Sequence, residues 1–283
     1  MAADLSIEIR RATSADVEGI AAVRLSNGPA HADSGANPAY CRHLIEDEHL
    51  WVALDASGDA VGFAGAVDTG GARLLSDLFV RADAHGRGVG SGLLRAVFDG
   101  ADERYTFAST DPAALPLYTR AGMRTRWTLL EMSGPAMVFE SARASDIEVR
   151  RVDGHAAAAA ELEMTGVDRS SAHCYWAARD SATALVVTGP EGVAGIAAVA
   201  EEASGDGLRI DHLVSADHMV PVVMAAVVGE WTPERVHAYV PGSTEFAAWL
   251  LAHRFVVDDI SLHMATAGAG VHPLLAVVHP GLG

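Results

Sequence analysis

The stretch LSDLFVRADAHGRGVGSGLL, residues 75–94, decides the fold of this chain. It begins with a short apolar strand pattern, and four glycines between positions 86 and 92 then lead directly into a helix-like run. The first amides of a helix have no intrahelical partner, and the helix dipole places partial positive charge there. Glycines at such a junction let the backbone approach an anion closely, and Arg87 adds a fixed positive charge. The stretch therefore predicts a phosphate-binding loop between a strand and a helix.

Two other phosphate loops do not fit this pattern. The P-loop of nucleoside triphosphatases requires a lysine, and the sequence contains none. The dinucleotide-binding fingerprint requires GxGxxG, whereas the glycines here stand at positions 86, 88, 90 and 92. The segment instead resembles the acyl-CoA loop of the GNAT superfamily of N-acyltransferases, which reads Gln or Arg, two residues of any type, Gly, any residue, then Gly or Ala. The residues HGRGVG at 85–90 fit this loop except at the first place, where His85 stands.

A second segment carries the same resemblance. DPAALPLYTRAGM, residues 111–123, matches a GNAT stretch at Ala114, Tyr118 and Gly122. It departs from that stretch at Asp111, where the family usually has asparagine. Two motifs in the expected order make the resemblance more specific than the glycines alone.

The resemblance covers residues 7–132 and implies acetyl-CoA as the cosubstrate. In the family, the strand before the loop hydrogen-bonds the pantetheine arm, and the loop amides hold the pyrophosphate. The cofactor contacts that this implies are Leu78, Phe79, Val80, His85, Gly86, Arg87, Gly88, Val89, Gly90, Ser91, Asp111 and Ala114.

The resemblance also supplies candidates for the chemistry. Acylation of an amine needs a neutral amine, stabilisation of the oxyanion and a proton for the leaving thiolate. Tyr118 holds the place of the proton donor, and Asp77 holds the place of the acidic residue that deprotonates the amine, directly or through water. A core tyrosine and a strand-end carboxylate are the structural alternatives. The loop of residues 26–40 would cover the acceptor, with His31 and Asp33 as candidate substrate contacts.

The chain repeats its pattern once. IEIRRATSADVEGIAAV, from residue 7, has a counterpart in IEVRRVDGHAAAAAELE, from residue 147, and the same order of strands and helices follows both. In each half a strand carries an aspartate, Asp77 or Asp211, at the matching place. The order predicts an α/β (α+β) fold in two tandem GNAT-like domains, each a mixed, mostly antiparallel sheet flanked by helices. We expect an N-terminal catalytic domain at residues 1–137 and a C-terminal domain at residues 138–283.

The second half lacks the features that mark the first. After Val214 the sequence reads SADHMVPVVMAAVV, without a glycine, and either Trp249 or Leu250 stands in the place of Tyr118. We therefore expect a degenerate domain without a CoA site, which serves as a structural element or as a wall of the acceptor pocket. The tail after Ala267 falls outside the repeat and carries no functional prediction.

The composition restricts partners and location. The chain has 37 acidic and 20 basic residues, a net charge of −17, which repels nucleic acid and anionic membranes and favours an amine substrate. Two cysteines are too few for a disulfide framework or a zinc site, and we expect no metal. No apolar run reaches the ~18 residues of a membrane span, and the N-terminus has no signal-peptide pattern, so we expect a cytoplasmic protein. The sequence leaves both a monomer and a homodimer open.

The sequence thus predicts an N-acetyltransferase that moves an acetyl group from acetyl-CoA to the amine of a small molecule by direct attack in a ternary complex. Cys41 has only His43 near it in sequence, which is weak support for a covalent acyl-enzyme. The alternative is a non-catalytic acyl-CoA sensor or interaction protein with the same fold, which the departures at His85 and Asp111 favour. Transfer from aminoacyl-tRNA is disfavoured by the acidic charge.

Overall fold

The computed structural model describes residues 7–28, 38–47, 49–269, 272 and 274–282, which form two compact units. Unit 1 consists of the described residues within Met1–Thr106, Pro112–Arg124 and Ala265–Ala269, and unit 2 of those within Phe107–Asp111, Thr125–Met264 and Gly270–Gly283. Both units have the same order of elements over most of their length. The predicted fold class, two tandem α/β (α+β) domains with mixed sheets, is therefore confirmed.

Unit 1 is a five-stranded mixed sheet with helices packed on it. Its elements are β1 Glu8–Arg11, α1 Val17–Ser26, α2 Pro38–Glu46, β2 Leu50–Leu54, β3 Ala60–Thr69, β4 Ala72–Val80, α3 Val89–Val97, β5 Glu103–Ala108 and α4 Ala114–Arg120. The strands follow one another in the order β1-β2-β3-β4-β5, antiparallel up to β4 and parallel between β4 and β5. The helices α1 and α3 pack against β3 and bury Ile20, Val23, Leu93 and Val97.

Unit 2 repeats this arrangement with additional strands. Its elements are β6 Arg124–Pro135, β7 Glu148–Val152, α5 Gly154–Thr165, α6 Ser170–Ala177, β8 Ala182–Gly189, β9 Gly192–Glu201, β10 Gly207–Ser215, α7 Val220–Gly229, β11 Arg235–Pro241, α8 Glu245–Ala252, β12 Val256–Ala265 and β13 Leu275–Val277. The strand order is β12-β6-β11-β10-β9-β8-β7, and β13 also pairs with β10. The strands β10 and β11 are parallel, as β4 and β5 are in unit 1.

The strand β6 lies outside the unit to which the sequence assigned it. The predicted border between residues 137 and 138 placed this strand in the first domain, but it pairs with β11 over the whole length of β11. Conversely, residues 265–269 belong to unit 1, where the Arg104 N–H donates to Thr266 Oγ1 at 2.9 Å. The alternation of a strand shows which residues face the core but not which edge it will pair with. The roles given to the two halves stay predictions.

A β-bulge at the same place in both sheets defines equivalent positions. In unit 1 the extra residue of β4 is Ser76, so Asp77 is the first residue after the bulge. In unit 2 the extra residue of β10 is Asp211, so His212 follows the bulge. The equivalent of Asp77 is therefore His212, and the sequence match between Asp77 and Asp211 was wrong by one residue. The match failed because the sequence shows that each strand contains an aspartate, but it does not show how the strand is aligned with its neighbour in the sheet.

Short-range signals set the limits of the helices. The Asp16 carboxylate accepts the Thr13 N–H at 2.7 Å and closes a capping box just before α1. In unit 2, Asp153 accepts the Ala156 N–H at 2.8 Å at the start of α5, which ends at Gly166 with a left-handed φ of 72°. These capping signals limit the length of the helices. In the described ranges, no helix has both the length and the apolar character needed to cross a membrane.

Candidate active site

The central feature of unit 1 is the point at which β4 and β5 separate, which we call the fork. Among the described residues, the pairing of these strands ends at Leu75↔Thr106. The Thr106 hydroxyl donates to the Leu75 carbonyl at 2.9 Å at this point. Beyond the fork β4 continues to Val80 with β3 on its other side. Within the described part of unit 1, the edge of residues 78–80 that turns away from β3 is therefore open to an extended ligand.

The hydrogen-bond alternation of β4 shows which backbone groups face this open edge. The Arg81 N–H donates to the Val61 carbonyl of β3 at 2.8 Å. Since antiparallel strands direct alternate residues to their partner, Leu78 and Val80 direct their N–H and C=O groups away from β3. The Val80 carbonyl accepts a hydrogen bond from His85 Nε2 at 2.8 Å. The Val80 N–H and both backbone groups of Leu78 thus face the open edge, whereas Phe79 directs its backbone groups to β3 and the His85 side chain binds the strand end. Contacts of these residues with an acyl carrier stay predictions.

The loop after β4 and the first turn of α3 form a segment that we call the amide loop, residues 86–91. Gly86 and Gly88 have left-handed φ angles of 75° and 80°, which residues with a Cβ adopt only at a cost. The first helical hydrogen bond of α3 runs from the Gly92 N–H to the Gly88 carbonyl at 2.9 Å. Within the described residues, the six N–H groups of the amide loop have no hydrogen-bond partner. N–H groups of this kind beside exposed Arg87 suit an anion, and the contact with a diphosphate stays a prediction.

The helix that carries Tyr118 packs beside the amide loop. A methyl group at Gly90 would lie 3.3 Å from Leu117 Cδ2, so the first turn of α3 and α4 are in contact. Tyr118 is buried on α4. Ala114 is the first residue of this helix, and Asp111 is exposed in the turn before it. The structure therefore places the second sequence motif next to the first, as the resemblance implies.

The remaining predicted residues divide into two groups. In the first turn of α3, Val89 is buried in the core, and Ser91 is exposed. Their contribution to the amide loop is their backbone N–H. His31 and Asp33 lie outside the described residues, and their role in substrate binding stays a prediction.

Asp77 lies near the fork in a buried ion pair that the sequence analysis did not find. Its Oδ1 accepts a hydrogen bond from Arg24 Nη2 at 2.7 Å, and the two side chains are 8% and 2% exposed. The Arg24 guanidinium also lies over the rings of Phe63 and Phe79, at 5.2 and 4.9 Å from their centroids. The available sequence signal was an arginine four residues after Ile20, on the apolar face of α1.

The surroundings of this pair bear on the choice between direct transfer and a covalent intermediate. Either charge alone would be uncompensated in the interior, so the Arg24–Asp77 pair anchors α1 to β4. On α2, burial and, second, the charge of Asp77 raise the pKa of both Tyr40 and Cys41. A buried thiol that stays protonated is a poor nucleophile. This favours direct attack by the amine over an acyl-enzyme on Cys41.

The described part of unit 2 has no counterpart of the amide loop. Residues 216–219, which contain no glycine, connect β10 to α7 where residues 81–88 connect β4 to α3. Pro221 stands in the first turn of α7 and has no N–H to offer. The loss of the CoA site in the second half stays a prediction.

The hydrogen bonds after α8 identify the equivalent of Tyr118. The Met123 N–H donates to the Tyr118 carbonyl at 3.2 Å, and the Phe255 N–H donates to the Leu250 carbonyl at 3.1 Å. The equivalent of Tyr118 is therefore Leu250, not Trp249. A leucine cannot donate a proton to a leaving group, so unit 2 also lacks the candidate acid.

A buried polar cluster lies at the position after the bulge in unit 2. Glu161 on α5 accepts hydrogen bonds from Arg169 at 2.5 Å, His173 at 2.6 Å and His212 at 2.8 Å. All four side chains are buried. Burial alone would raise the pKa of Glu161, but His212, His173 and Arg169 together hold it well below its ordinary value. Burial lowers the pKa of His212, and the charge of Glu161 opposes this shift.

The spacing within this cluster raises the question of a metal ion. The ligand atoms of Glu161, His173 and His212 all lie within 4.8 Å of one another. A histidine that binds a metal through Nε2 normally donates its Nδ1–H to an acceptor, but neither Nδ1 has a partner among the described residues. Each ring instead donates from Nε2 to the carboxylate, and Arg169 balances the charge. The cluster thus fits a closed hydrogen-bonded network better than a metal centre, and the absence of a metal stays a prediction.

Comparisons with known proteins agree with this geometry. The model of the acetyltransferase (GNAT) domain matches residues 46–124, which include β4, the amide loop and α4. No curated protein sequence matches the chain. Among solved structures, a putative acetyltransferase from Pyrococcus horikoshii superposes with a TM-score of 0.74 at 14% identity, covering 98% of this chain and 96% of that one.

Two further structures extend the likeness. A GCN5-related N-acetyltransferase from Kribbella flavida has a TM-score of 0.62 at 17% identity and covers 94% of this chain and 72% of that one. A tandem GNAT protein from the clavulanic acid biosynthesis pathway has a TM-score of 0.59 at 13% identity, over 94% of this chain and 100% of that one. At these identities the likeness shows the fold. Residues 46–124 match the acetyltransferase (GNAT) domain, and the chain as a whole has the tandem GNAT fold.

Proposed function

We propose that this protein transfers an acetyl group from acetyl-CoA to the amine of a small molecule, at the site in unit 1. The observation that carries the proposal is the open edge of Leu78 and Val80, followed along the chain by the partnerless N–H groups of the amide loop. An arm that contains amides and ends in a diphosphate needs such strand-edge groups and, next to them, converging N–H donors. The family match supports acetyl-CoA as the acyl donor.

The residues around the site suggest how the reaction proceeds. The amine nitrogen attacks the thioester carbonyl carbon, the C–S bond breaks, and the thiolate takes up a proton. Tyr118 is the proposed donor of that proton, and Asp77 is the proposed acceptor of the amine proton. The net charge of −17 favours an acceptor that arrives as a cation.

The experiment that tests the proposal has two stages. Calorimetric titration of the full chain with acetyl-CoA should give one site per chain. Acetyl-CoA is then supplied with a panel of small amines, and free thiol is monitored. Thiol release with at least one amine supports the transferase. Absence of acetyl-CoA binding would contradict the placement of the donor.

A second candidate function is a non-catalytic acyl-CoA sensor. The observations that favour it are that Arg24 already binds the Asp77 carboxylate and that His85 already binds the Val80 carbonyl. Binding of acetyl-CoA without thiol release for any amine would select the sensor.

Replacement of Tyr118 by phenylalanine tests the proton donor. We expect Tyr118→Phe to lower kcat by about 10²–10⁴-fold, the range for a general acid, and to leave the Kd for acetyl-CoA unchanged. Steady-state kinetics and calorimetry measure the two effects. The matched control is Tyr105→Phe, a buried tyrosine whose hydroxyl lies 2.6 Å from Thr69 Oγ1. That variant should lose about 1 kcal/mol of stability but no turnover. An unaltered kcat in Tyr118→Phe would remove this residue from the mechanism.

A double variant separates a structural role of Asp77 from a catalytic one. Asp77→Asn alone should destabilise the protein by roughly 3 kcal/mol, because it leaves the Arg24 charge in the interior without a counter-charge. Adding Arg24→Met should recover most of this loss, as urea unfolding will show. If Asp77 is the base, kcat stays low in the stable double variant. Recovery of kcat together with stability would mean that the pair only anchors α1.

A further inference from the structure

In unit 2, β10 has an edge equivalent to the open edge of β4. The pairing of β10 with β11 ends at Ile210↔Ala238, as that of β4 with β5 ends at Leu75↔Thr106. Counted from the bulge in each strand, residues 213–215 correspond to residues 78–80. Ser215 is thus the equivalent of Val80, whose N–H is a proposed contact of the acyl carrier.

The C-terminal segment of the chain lies on this edge. The strand β13 pairs antiparallel with β10, at Leu213↔Val277 and Val214↔Leu275. On the opposite side of these two β10 residues lies β9. Residues 213 and 214 therefore have strands on both sides in unit 2, where residues 78 and 79 have one strand in unit 1.

Two backbone hydrogen bonds place the segment between β10 and β11. The Ser215 N–H donates to the Leu274 carbonyl at 2.9 Å. The Val278 N–H donates to the Tyr239 carbonyl of β11 at 2.9 Å. The first of these donors is the equivalent of the Val80 N–H. The segment therefore takes up the backbone group that unit 1 directs towards its open edge.

The side chains of the segment belong to the core of unit 2. Those with at most 4% exposure are Leu275, Ala276, Val277, Val278 and Leu282. The first four of these contribute to two apolar clusters that also contain residues of β10, β11 and α7. A strand buried in this way has the environment of a central strand, not of an edge strand or a loose tail.

We infer that the edge of β10 at residues 213–215 is a strand-binding site for the chain's own C-terminal segment, residues 274–282. The segment completes the sheet of unit 2 at the position that unit 1 keeps for its acyl carrier, and it excludes a carrier there. The comparison with the carrier rests on the proposed function of unit 1, whereas the strand site rests on the contacts within unit 2. The part of the chain after Ala267, which lies outside the sequence repeat, thereby has a structural role.

The first test uses the full chain and hydrogen exchange. Val278→Pro removes the N–H that binds the Tyr239 carbonyl, and Val278→Ala, the matched control, keeps it. We expect the amides of residues 213 and 215, which face the segment, to exchange at least 100-fold faster in Val278→Pro than in Val278→Ala. A synthetic peptide of residues 272–283 should restore slow exchange in a saturable manner. Equal exchange in the two variants, or no effect of the peptide on a folded variant, would overturn the inference.

A second experiment applies if the Val278→Pro variant does not fold. The chain that ends at residue 271 is produced together with residues 272–283 as a separate polypeptide. Recovery of a folded, non-covalent complex supports the strand site, and failure of the two pieces to associate overturns it.

Acetyl-CoA binding separates this inference from the proposed function. The full chain and the Val278→Pro variant should both bind one acetyl-CoA per chain by calorimetry. Two sites in the variant would show that the segment covers a carrier site rather than replacing it, and would overturn the inference. No binding in either chain would refute the proposed function of unit 1, whereas the exchange result for unit 2 would stand.

Discussion

Gly88→Val is expected to weaken acetyl-CoA binding by at least ~100-fold while the fold is retained. Gly88 has a left-handed φ of 80°, and a β-branched residue there costs about 1–2 kcal/mol or forces the loop to move. A Cβ at this position meets no atom within 4 Å, so the protein itself leaves space for it. The added side chain and the moved backbone both disturb the N–H groups that are proposed to hold the diphosphate. Calorimetry measures the affinity, and thermal unfolding checks the fold.

A matched control for Gly88→Val lies at the other end of the same helix. Gly100 follows α3, has a left-handed φ of 72° and likewise has open space around a Cβ. Gly100→Val therefore introduces a similar backbone strain away from the amide loop. We expect it to lower stability and to leave the Kd for acetyl-CoA unchanged. If Gly88→Val binds acetyl-CoA as tightly as the unmodified chain, the diphosphate is held elsewhere.

Removal of the Glu161 carboxylate should have the largest effect on stability. Glu161→Ala leaves the buried Arg169 charge without a counter-charge and leaves two imidazole N–H donors without an acceptor. Breaking a buried ion pair costs roughly 3–5 kcal/mol, and the lost acceptor and cavity add to this. We expect a loss of at least roughly 5 kcal/mol in the free energy of unfolding, which is comparable to the whole stability of a small domain.

The control for Glu161→Ala is on the same helix. Glu163 is exposed on α5, and Glu163→Ala should change the free energy of unfolding by less than about 0.5 kcal/mol. Urea unfolding followed by tryptophan fluorescence reports mainly on unit 2, which holds four of the five tryptophans, and Trp176 there stacks on His212. A loss below about 1 kcal/mol for Glu161→Ala would contradict the importance of the cluster.

Local features of the fold and the site could be predicted from the sequence. The glycines of residues 86–92 at a strand-to-helix junction gave both the position of the amide loop and its suitability for an anion. The duplicated order of strands and helices was visible because apolar alternation and turn residues act over a few positions. The fold class could be predicted correctly because it depends on these local signals.

Features that depend on distant contacts could not be predicted. Arg24 and Asp77 are 53 positions apart, and no periodic pattern links an arginine on one helix to a carboxylate on a later strand. The assignment of Asp211 as the equivalent of Asp77 failed because a bulge shifts the register by one residue. The pairing of the tail with β10 was missed because a three-residue strand carries too little pattern of its own.

The division of the chain between the units has a consequence for its synthesis. Unit 1 includes residues 265–269, where the Thr266 N–H donates to the Arg104 carbonyl at 2.9 Å. A ribosome that has just passed residue 137 has made neither this piece nor β11, the pairing partner of β6. Unit 1 can therefore reach its final form only after residues 265–269 have also been made. A gene fragment that stops at residue 137 encodes less than one complete folding unit.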